Sequence, residues 1–298
     1  MQEQTPHIFL TCYYRPKPGG LCKRLFRGIN ALLDRGHQVH YLAVVPFPID
    51  HPNCYFHRFP WPETRTSGYL FWGCFHLFAP FFLLAIGLRY KATRLFAFGY
   101  TYSLLLQPTR LIKRIPLNLF LRADTIKNHQ IRNRPALLIS LEHLFEGLGI
   151  IGTRMYGVSQ HLTDTTYARH SLLKPASAGV LRNEIPKTSK APLAPKKIEI
   201  PLRVGCVGVL EHRKNQRFLL EVFKEIPAEQ AQLFLYGTGP EEQLLKDEVD
   251  REGMKDKVHF MGWVASEKIW PEIDLLLMPS LHDGVPNAVL EALGHGIP

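Results

Sequence analysis

The chain has 298 residues, of which 46% are hydrophobic and 21% charged. That balance excludes a disordered chain and leaves length for two domains, each with its own core. The net charge of +10 is unevenly placed: residues 1–182 hold 22 Lys and Arg against 8 Asp and Glu, a charge of +14, and residues 183–298 hold 14 against 18, a charge of −4. A basic first half implies an anionic partner, either a phospholipid surface or an anionic acceptor. Nucleic acid is not expected, because no stretch interleaves aromatic and basic residues as a reading motif would. Cys12, Cys22, Cys54, Cys74 and Cys206 stand at no metal-ligand spacing, and an odd, scattered set argues against a disulfide framework. A reduced, cytoplasmic setting is expected, and "MQEQTPHIFLTCYY" shows no signal-peptide pattern.

The elements alternate. "HIFLTCYY" (7–14) reads as a buried strand and "RPKPGG" as a turn. "LCKRLFRGINALLDRGH" reads as a helix with Leu21, Leu25, Ile29, Leu32 and Leu33 at helical spacing. Gly36 closes it, and "QVHYLAVV" resumes a strand. This is a parallel βαβ unit. "CYFHRFPWP" is a further strand.

Residues 68–88, "GYLFWGCFHLFAPFFLLAIGL", lack any Lys, Arg, Asp or Glu and are long enough to span a bilayer. Arg65 precedes them; Arg89, Lys91 and Arg94 follow. "RLFAFGY" reads as the next strand of the same sheet, so a single span would put two neighbouring strands on opposite sides of the membrane. Three placements are weighed: an interfacial helix near 66–92 with its basic flank on headgroups, a buried core helix, and a span. The strand argument, with Pro80 and His76, favours the interfacial one.

A helix through "YSLLLQPTRLIKRI", a strand "PLNLFL" (116–121), a helix near 134–148, a strand and helix over 154–170 and a short strand in "SAGVLRNEIP" follow. Residues 184–201, rich in proline and lysine, read as a linker. Beyond it "LRVGCVGVL", "AQLFLYG", "KVHFMG" and "DLLLMPS" read as strands alternating with helices, four strands where a doubly wound domain commonly has about six.

Ligands of open α/β sheets bind beyond the carboxyl ends of the strands. Four loops there carry polar or Gly-rich sequence. In "GVLEHRKN", Gly208 permits a tight turn, and Arg213 and Lys214 are placed to meet a diphosphate. A solvated basic loop has the same composition. In "YGTGPEEQ", Gly239 precedes Pro240, expected at the first helical position. "FMGW" offers Gly262 and Trp263, a wall for a flat base or a packing residue. In "PSLHDGVPNAVLEALGHGIP", Pro286 is expected as the first helical residue and Gly294 as the stop, leaving the amides of Gly284, Val285 and Asn287 at the helix's positive end. Glu291 lies five residues further, about 7.5 Å along the axis, within reach of vicinal hydroxyls. Asp283, in the loop, is placed for hydroxyls of a sugar. Each acid alone also suits a capping or solvated role.

In order and spacing these four stretches resemble the family 4 retaining glycosyltransferases. "PGGLCKRLFRGINALLDRGHQVHYL", "YGVSQHL" and "VLRNEI" extend the resemblance into the first half. It implies an α/β chain of GT-B type, two Rossmann-like doubly wound domains facing a cleft. Residues 1–183 would be the acceptor-side domain, 184–201 a linker and 202–298 a nucleotide-sugar-binding domain that stops short at Pro298. The implied reaction moves a sugar from a nucleotide-diphosphate donor to a sugar, lipid-linked or glycan acceptor with retention, in envelope polysaccharide or glycolipid synthesis at an anionic membrane surface. The resemblance puts Lys214 on the donor diphosphate, Glu291 on the ribose and Asp283 where the first Glu of the acid pair usually stands. Gly284, Val285, Pro286 and Asn287 match the phosphate-cradling turn, and Gly19 and Gly20 the opposing loop; Gly208, Arg213, Gly239, Gly262 and Trp263 complete the donor side. Val209 replaces the family's arginine. No His ends "PLNLFL", so Asp124 is the acceptor-side catalytic candidate, with Lys214 and Asp283 on the donor side. No cofactor or metal is expected, because no Asp-x-Asp is present. A sugar-nucleotide epimerase and an inactive, shortened glycosyltransferase are the competing readings.

Overall fold

The computed structural model describes residues 5–17, 20–131, 134–183, 199–283 and 285–298. Two compact units divide after Arg182. Gly19, Gly284 and most of the 184–201 linker lie outside the described residues.

The first unit runs β1 (Ile8–Cys12), α1 (Gly20–Leu33), β2 (Gln38–Ala43), β3 (Cys54–Arg58), α2 (Tyr69–Arg89), β4 (Arg94–Phe98), α3 (Tyr100–Lys113), β5 (Leu117–Leu121), α4 (Thr125–Ile131), α5 (Ala136–Ile150), β6 (Arg154–Gly157), α6 (Gln160–Arg169) and β7 (Ser177–Val180). Its seven strands are all parallel, in the order β3-β2-β1-β4-β5-β6-β7. The reversal at β1/β4 makes it doubly wound. With right-handed crossovers, α2, α3 and α5 fall on one face of the sheet, where α3 packs against both of the others.

Strands β1, β2 and β4 are buried along most of their length, as expected of strands covered on both faces. Helix α1 buries Cys22, Leu25, Ile29 and Leu33, the spacing legible in the sequence. Gly36 ends it at φ 77°, a conformation that favours glycine.

Helix α2 is long and apolar enough to cross a membrane by length and composition. It nevertheless joins β3 to β4, two strands of one parallel sheet. It buries Phe71, Phe75, Ala79, Leu83 and Ile86 and leaves its opposite face exposed.

Two features depart from the sequence reading. Helix α4 was not expected, because "TIKNHQI" has no apolar periodicity; Asp124 starts it by accepting from the Lys127 amide at 3.0 Å. Helix α5 is also shifted to Ala136–Ile150.

The second unit runs β8 (Leu202–Val207), α7 (Gln216–Lys224), β9 (Ala231–Tyr236), α8 (Glu242–Arg251), β10 (Val258–Gly262), α9 (Ser266–Ile269), β11 (Leu275–Leu276) and α10 (Asn287–Gly294). The four parallel strands are ordered β10-β9-β8-β11. One core holds Leu219, Leu220, Phe223, Leu245 and Val249 against Val204, Leu233 and Leu235. A second core holds Trp270, Ile273, Ala292 and Ile297 against Phe234 and Tyr236. The alternate residues of β9 feed opposite cores, so this sheet too is covered on both faces.

A histidine pair in the first unit is sensitive to pH. His40 Nδ1 lies 2.9 Å from His57 Nε2, so one ring must donate and the other accept. His40 stacks on Tyr55 and packs against Tyr90. Burial, then the neighbouring His57, lower the His40 pKa to about 4. Burial, then the charge of Arg89, lower that of His57. A histidine pKa below its unfolded value of about 6.5 stabilises the fold above that pH, and the stability drains away as pH falls toward 4. Denaturant midpoints should therefore fall as pH drops from 6.5 toward 4. In His40→Phe most of that slope should be gone.

Candidate active site

The winding of the second sheet builds a crevice. From β8 the chain crosses to β9 on one side and reaches β11 on the other, so the loops after β8 and β11 diverge at the strands' carboxyl ends. Those loops carry the charged candidates.

After β8 the chain makes a short 3-10 turn over His212–Lys214. Asn215 ends it at φ 54°, a left-handed conformation that asparagine tolerates well, and α7 begins at the next residue. The Asn215 side-chain Nδ2 donates to the Pro279 carbonyl at 3.3 Å, and the Leu281 backbone amide donates to the Arg213 carbonyl at 3.0 Å. These bonds tie the two loops across the crevice. Gly208 has no left-handed torsion, and a Cβ there would make only ordinary contact. The Lys214 methylenes lie 3.5 Å from where a Gly208 Cβ would sit.

Asp283 closes the arrangement. It pairs with Lys214 through one carboxylate oxygen and with Arg213 through the other, at 3.1 Å for the arginine. Arg213 also donates to Glu211 at 2.7 Å and to the His282 carbonyl at 3.1 Å. Two cations and two carboxylates thus meet in a partly buried cluster. Asp283 is held by the same two cations that the resemblance assigns to a diphosphate.

Glu291 lies on the second turn of α10. Ser266 Oγ donates to its carboxylate and accepts from Trp270 Nε1 at 3.0 Å. Trp270 is fully buried, so the chain from core to carboxylate fixes Glu291 in place. The sequence reading missed Ser266 and Trp270; "ASEKIWPEI" reads as an ordinary short helix. It also missed Asn183, which donates to the Val285 carbonyl at 2.9 Å and to Asn287 Oδ1 at 3.3 Å, steadying the turn into α10.

Pro286 is the N-cap of α10, so the helix starts one residue later than expected, at Asn287. Gly294 is the last helical residue, and Gly296, at φ 73°, makes the turn instead. Helix α8 begins at Glu242, after Pro240.

Gly237 and Gly239 are required by close approach. A Cβ on Gly237 would meet the Gly208 carbonyl oxygen at 2.0 Å, and one on Gly239 the Leu210 carbonyl oxygen at 2.2 Å. The Leu210 amide donates to the Thr238 carbonyl at 3.1 Å, and the Gly237 amide to the Gly262 carbonyl at 2.7 Å. The loops after β8, β9 and β10 are therefore one stitched layer. Gly262 turns at φ 64°, and Trp263 beyond it is 74% exposed, so it is not a packing residue of this unit.

In the first unit, Gly20 is the first residue of α1. Asp124 is 4% exposed, caps α4 and pairs with Arg169, which also binds Glu146 at 2.8 Å. A carboxylate engaged in this way holds the helix start and the ion pair together. Among the described residues no group of three or more His, Cys, Asp or Glu side chains could hold a metal ion.

Residues 201–298 match the family described as glycosyl transferases group 1. They form a group 1 glycosyl transferase domain. The domain's matches include a 2-deoxystreptamine glucosyltransferase from Streptomyces kanamyceticus, 29% identical over 101 residues, covering 32% of this chain and 26% of the relative. They also include the lipopolysaccharide core biosynthesis glycosyltransferase LpsD of Rhizobium meliloti, 31% identical over 93 residues, covering 31% and 26%. The matched segment thus spans about a quarter of the length of these curated relatives. Among solved structures, sucrose-phosphate synthase from Thermosynechococcus elongatus superposes with a TM-score of 0.78 at 16% identity, covering 98% of this chain and 80% of that one. Anabaena HepE in complex with UDP-glucose superposes with a TM-score of 0.70 at 16% identity, covering 98% and 79%. The fold is that of the GT-B glycosyltransferases.

Gly239→Ala should lower unfolding stability by about 2–3 kcal/mol, because the methyl group has backbone on its contact side and nothing flexible to displace. Denaturant unfolding checks it, with Gly253→Ala, where a Cβ meets nothing within 4 Å but the backbone is left-handed, as the comparison for strain alone.

Proposed function

We propose that the protein is a retaining glycosyltransferase using a nucleoside-diphosphate sugar. The observation that carries this is the meeting of Arg213, Lys214 and Asp283 across the β8/β11 switch point, with Glu291 fixed on α10 beside it. Two cations at the strand ends suit a diphosphate. The α10 amides add a positive helix end, and a preoriented carboxylate suits the vicinal hydroxyls of a ribose. Binding of UDP-glucose by HepE supports a nucleotide-sugar donor.

The donor diphosphate would displace Asp283 from Lys214 and Arg213. The freed carboxylate then reaches the sugar hydroxyls. As the bond from the anomeric carbon to the diphosphate breaks, charge builds on the leaving oxygen, and these preorganised cations are worth most there. Retention follows if the acceptor oxygen enters on the face the diphosphate leaves, with a diphosphate oxygen taking its proton. Arg213 and Lys214 supply the neutralisation that a divalent ion would otherwise provide, so no metal is assigned to the step. LpsD supports an envelope acceptor, lipid-linked or glycan, and with it a position at the inner face of the cytoplasmic membrane.

Calorimetry on the full chain with nucleoside diphosphates tests the site. Lys214→Ala should weaken binding about ten- to a hundredfold, the loss of a charge-assisted contact. Glu291→Gln should weaken nucleoside diphosphates about tenfold and leave inorganic pyrophosphate unchanged. Asp283→Asn should tighten diphosphate binding severalfold, because an internal competitor is removed, while slowing sugar transfer. Transfer from a panel of nucleotide sugars should persist in EDTA. Unaltered binding and transfer in both Lys214→Ala and Glu291→Gln would overturn the assignment.

A further inference from the structure

Helix α5 is amphipathic the wrong way round for a helix facing water. Its outward residues are Leu137, Leu138, Leu141, Leu144, Phe145 and Leu148, all exposed, with Leu137 at 73%. At 100° per residue they occupy an arc of about 120°. Its two acids are turned into the protein. Glu142 accepts from the Tyr100 hydroxyl and faces His129 at 3.6 Å; Glu146 binds Arg169 and His170 at 2.8 and 2.9 Å.

Helix α2 repeats the pattern. Leu70, Leu77, Phe78, Phe81 and Leu88 lie on an arc of about 100°, with Leu70 at 75% and Phe81 at 67% exposure. The two helices flank α3 on one face of the sheet, and α3 adds exposed Leu111 and Ile112. Exposed apolar side chains therefore lie on three helices that pack side by side. Single exposed apolar residues are ordinary; this many on neighbouring helices mark an interaction surface.

Charge decides the partner. Arg89, Lys91, Lys113 and Arg114 gather where α2 and α3 end, and the unit's excess of basic over acidic residues is +14. An apolar face edged by cations fits an anionic bilayer, with the side chains among the acyl chains and the cations at the headgroups. A second copy of this chain would bring the same cations together and meet repulsion.

We propose that α2, α3 and α5 together form a docking face for an anionic lipid surface, with α5 as a full contributor beside α2. This rests on the membrane-side part of the proposed function and is independent of the transfer chemistry. Insertion is shallow, because α2 stays tied to β3 and β4 at both ends.

Flotation of the full chain with phosphatidylcholine vesicles, with and without 30% phosphatidylglycerol, tests it. The protein should float with the anionic vesicles and stay behind with the neutral ones. Leu141→Gln/Phe145→Gln on α5 and Leu77→Gln/Phe81→Gln on α2 should each lower partitioning at least tenfold. Each of Arg89→Gln and Arg114→Gln should lower it about fivefold. These positions are exposed and outside the donor site, so thermal shifts with nucleoside diphosphate should stay as in the parent, whether or not the parent responds. Parent-like flotation of the α5 double variant would remove α5 from the face. No flotation of the parent, with self-association lost in the same variants, would make the face a protein interface and overturn the lipid assignment.

Discussion

Parallel pairing of β8 with β9 on one side and β11 on the other is the constraint on which the candidate site rests. Parallel neighbours need crossovers, and right-handed crossovers in opposite directions must cover opposite faces of the sheet. The loops at the divide are forced apart at the carboxyl ends, and a crevice opens without any side chain shaping it. The first sheet has the same reversal at β1/β4.

What fills the crevice in the second unit is charge. Arg213 and Lys214 come from one loop and Asp283 from the other, and their pairing joins the loops. The cost of holding two cations near each other, partly out of water, is offset by the carboxylates of Asp283 and Glu211. The same cluster is thus both a latch and a receptor. A diphosphate has to outcompete an internal carboxylate, and the displaced carboxylate is then in place for a second task. Glu291 works under the opposite logic: Ser266 and buried Trp270 hold it in one position before any ligand arrives.

The first unit is governed by where its polar groups go. Asp124, Glu146, Arg169 and His170 satisfy one another in the interior. That network draws Glu146 of α5 inward, Tyr100 and His129 do the same for Glu142, and leucine and phenylalanine are left outside. In α2 there are no charged residues between Tyr69 and Leu88, and packing on the sheet uses only one side. Helices exposed in this manner are stable because their inner faces are well packed, whatever the outer faces meet.

The strand–helix alternation, the four-strand second sheet and the loops carrying Gly208, Gly239, Lys214, Asp283 and Glu291 were legible in the sequence, because apolar periodicity and Gly/Pro punctuation are local signals. Helix α4 was not, since a capping aspartate and tertiary packing formed it without a periodic pattern. Nor were the contacts of Asp124, Ser266, Trp270 and Asn183, or the outward face of α5. Their partners lie far along the chain: Arg169 is 45 residues from Asp124, and Asp283 is 69 from Lys214. Sequence determined which elements form and which residue types reach the strand ends. Only the tertiary structure decided which charges neutralise one another and which apolar faces stay bare, because both follow from contacts between segments that local pattern does not encode.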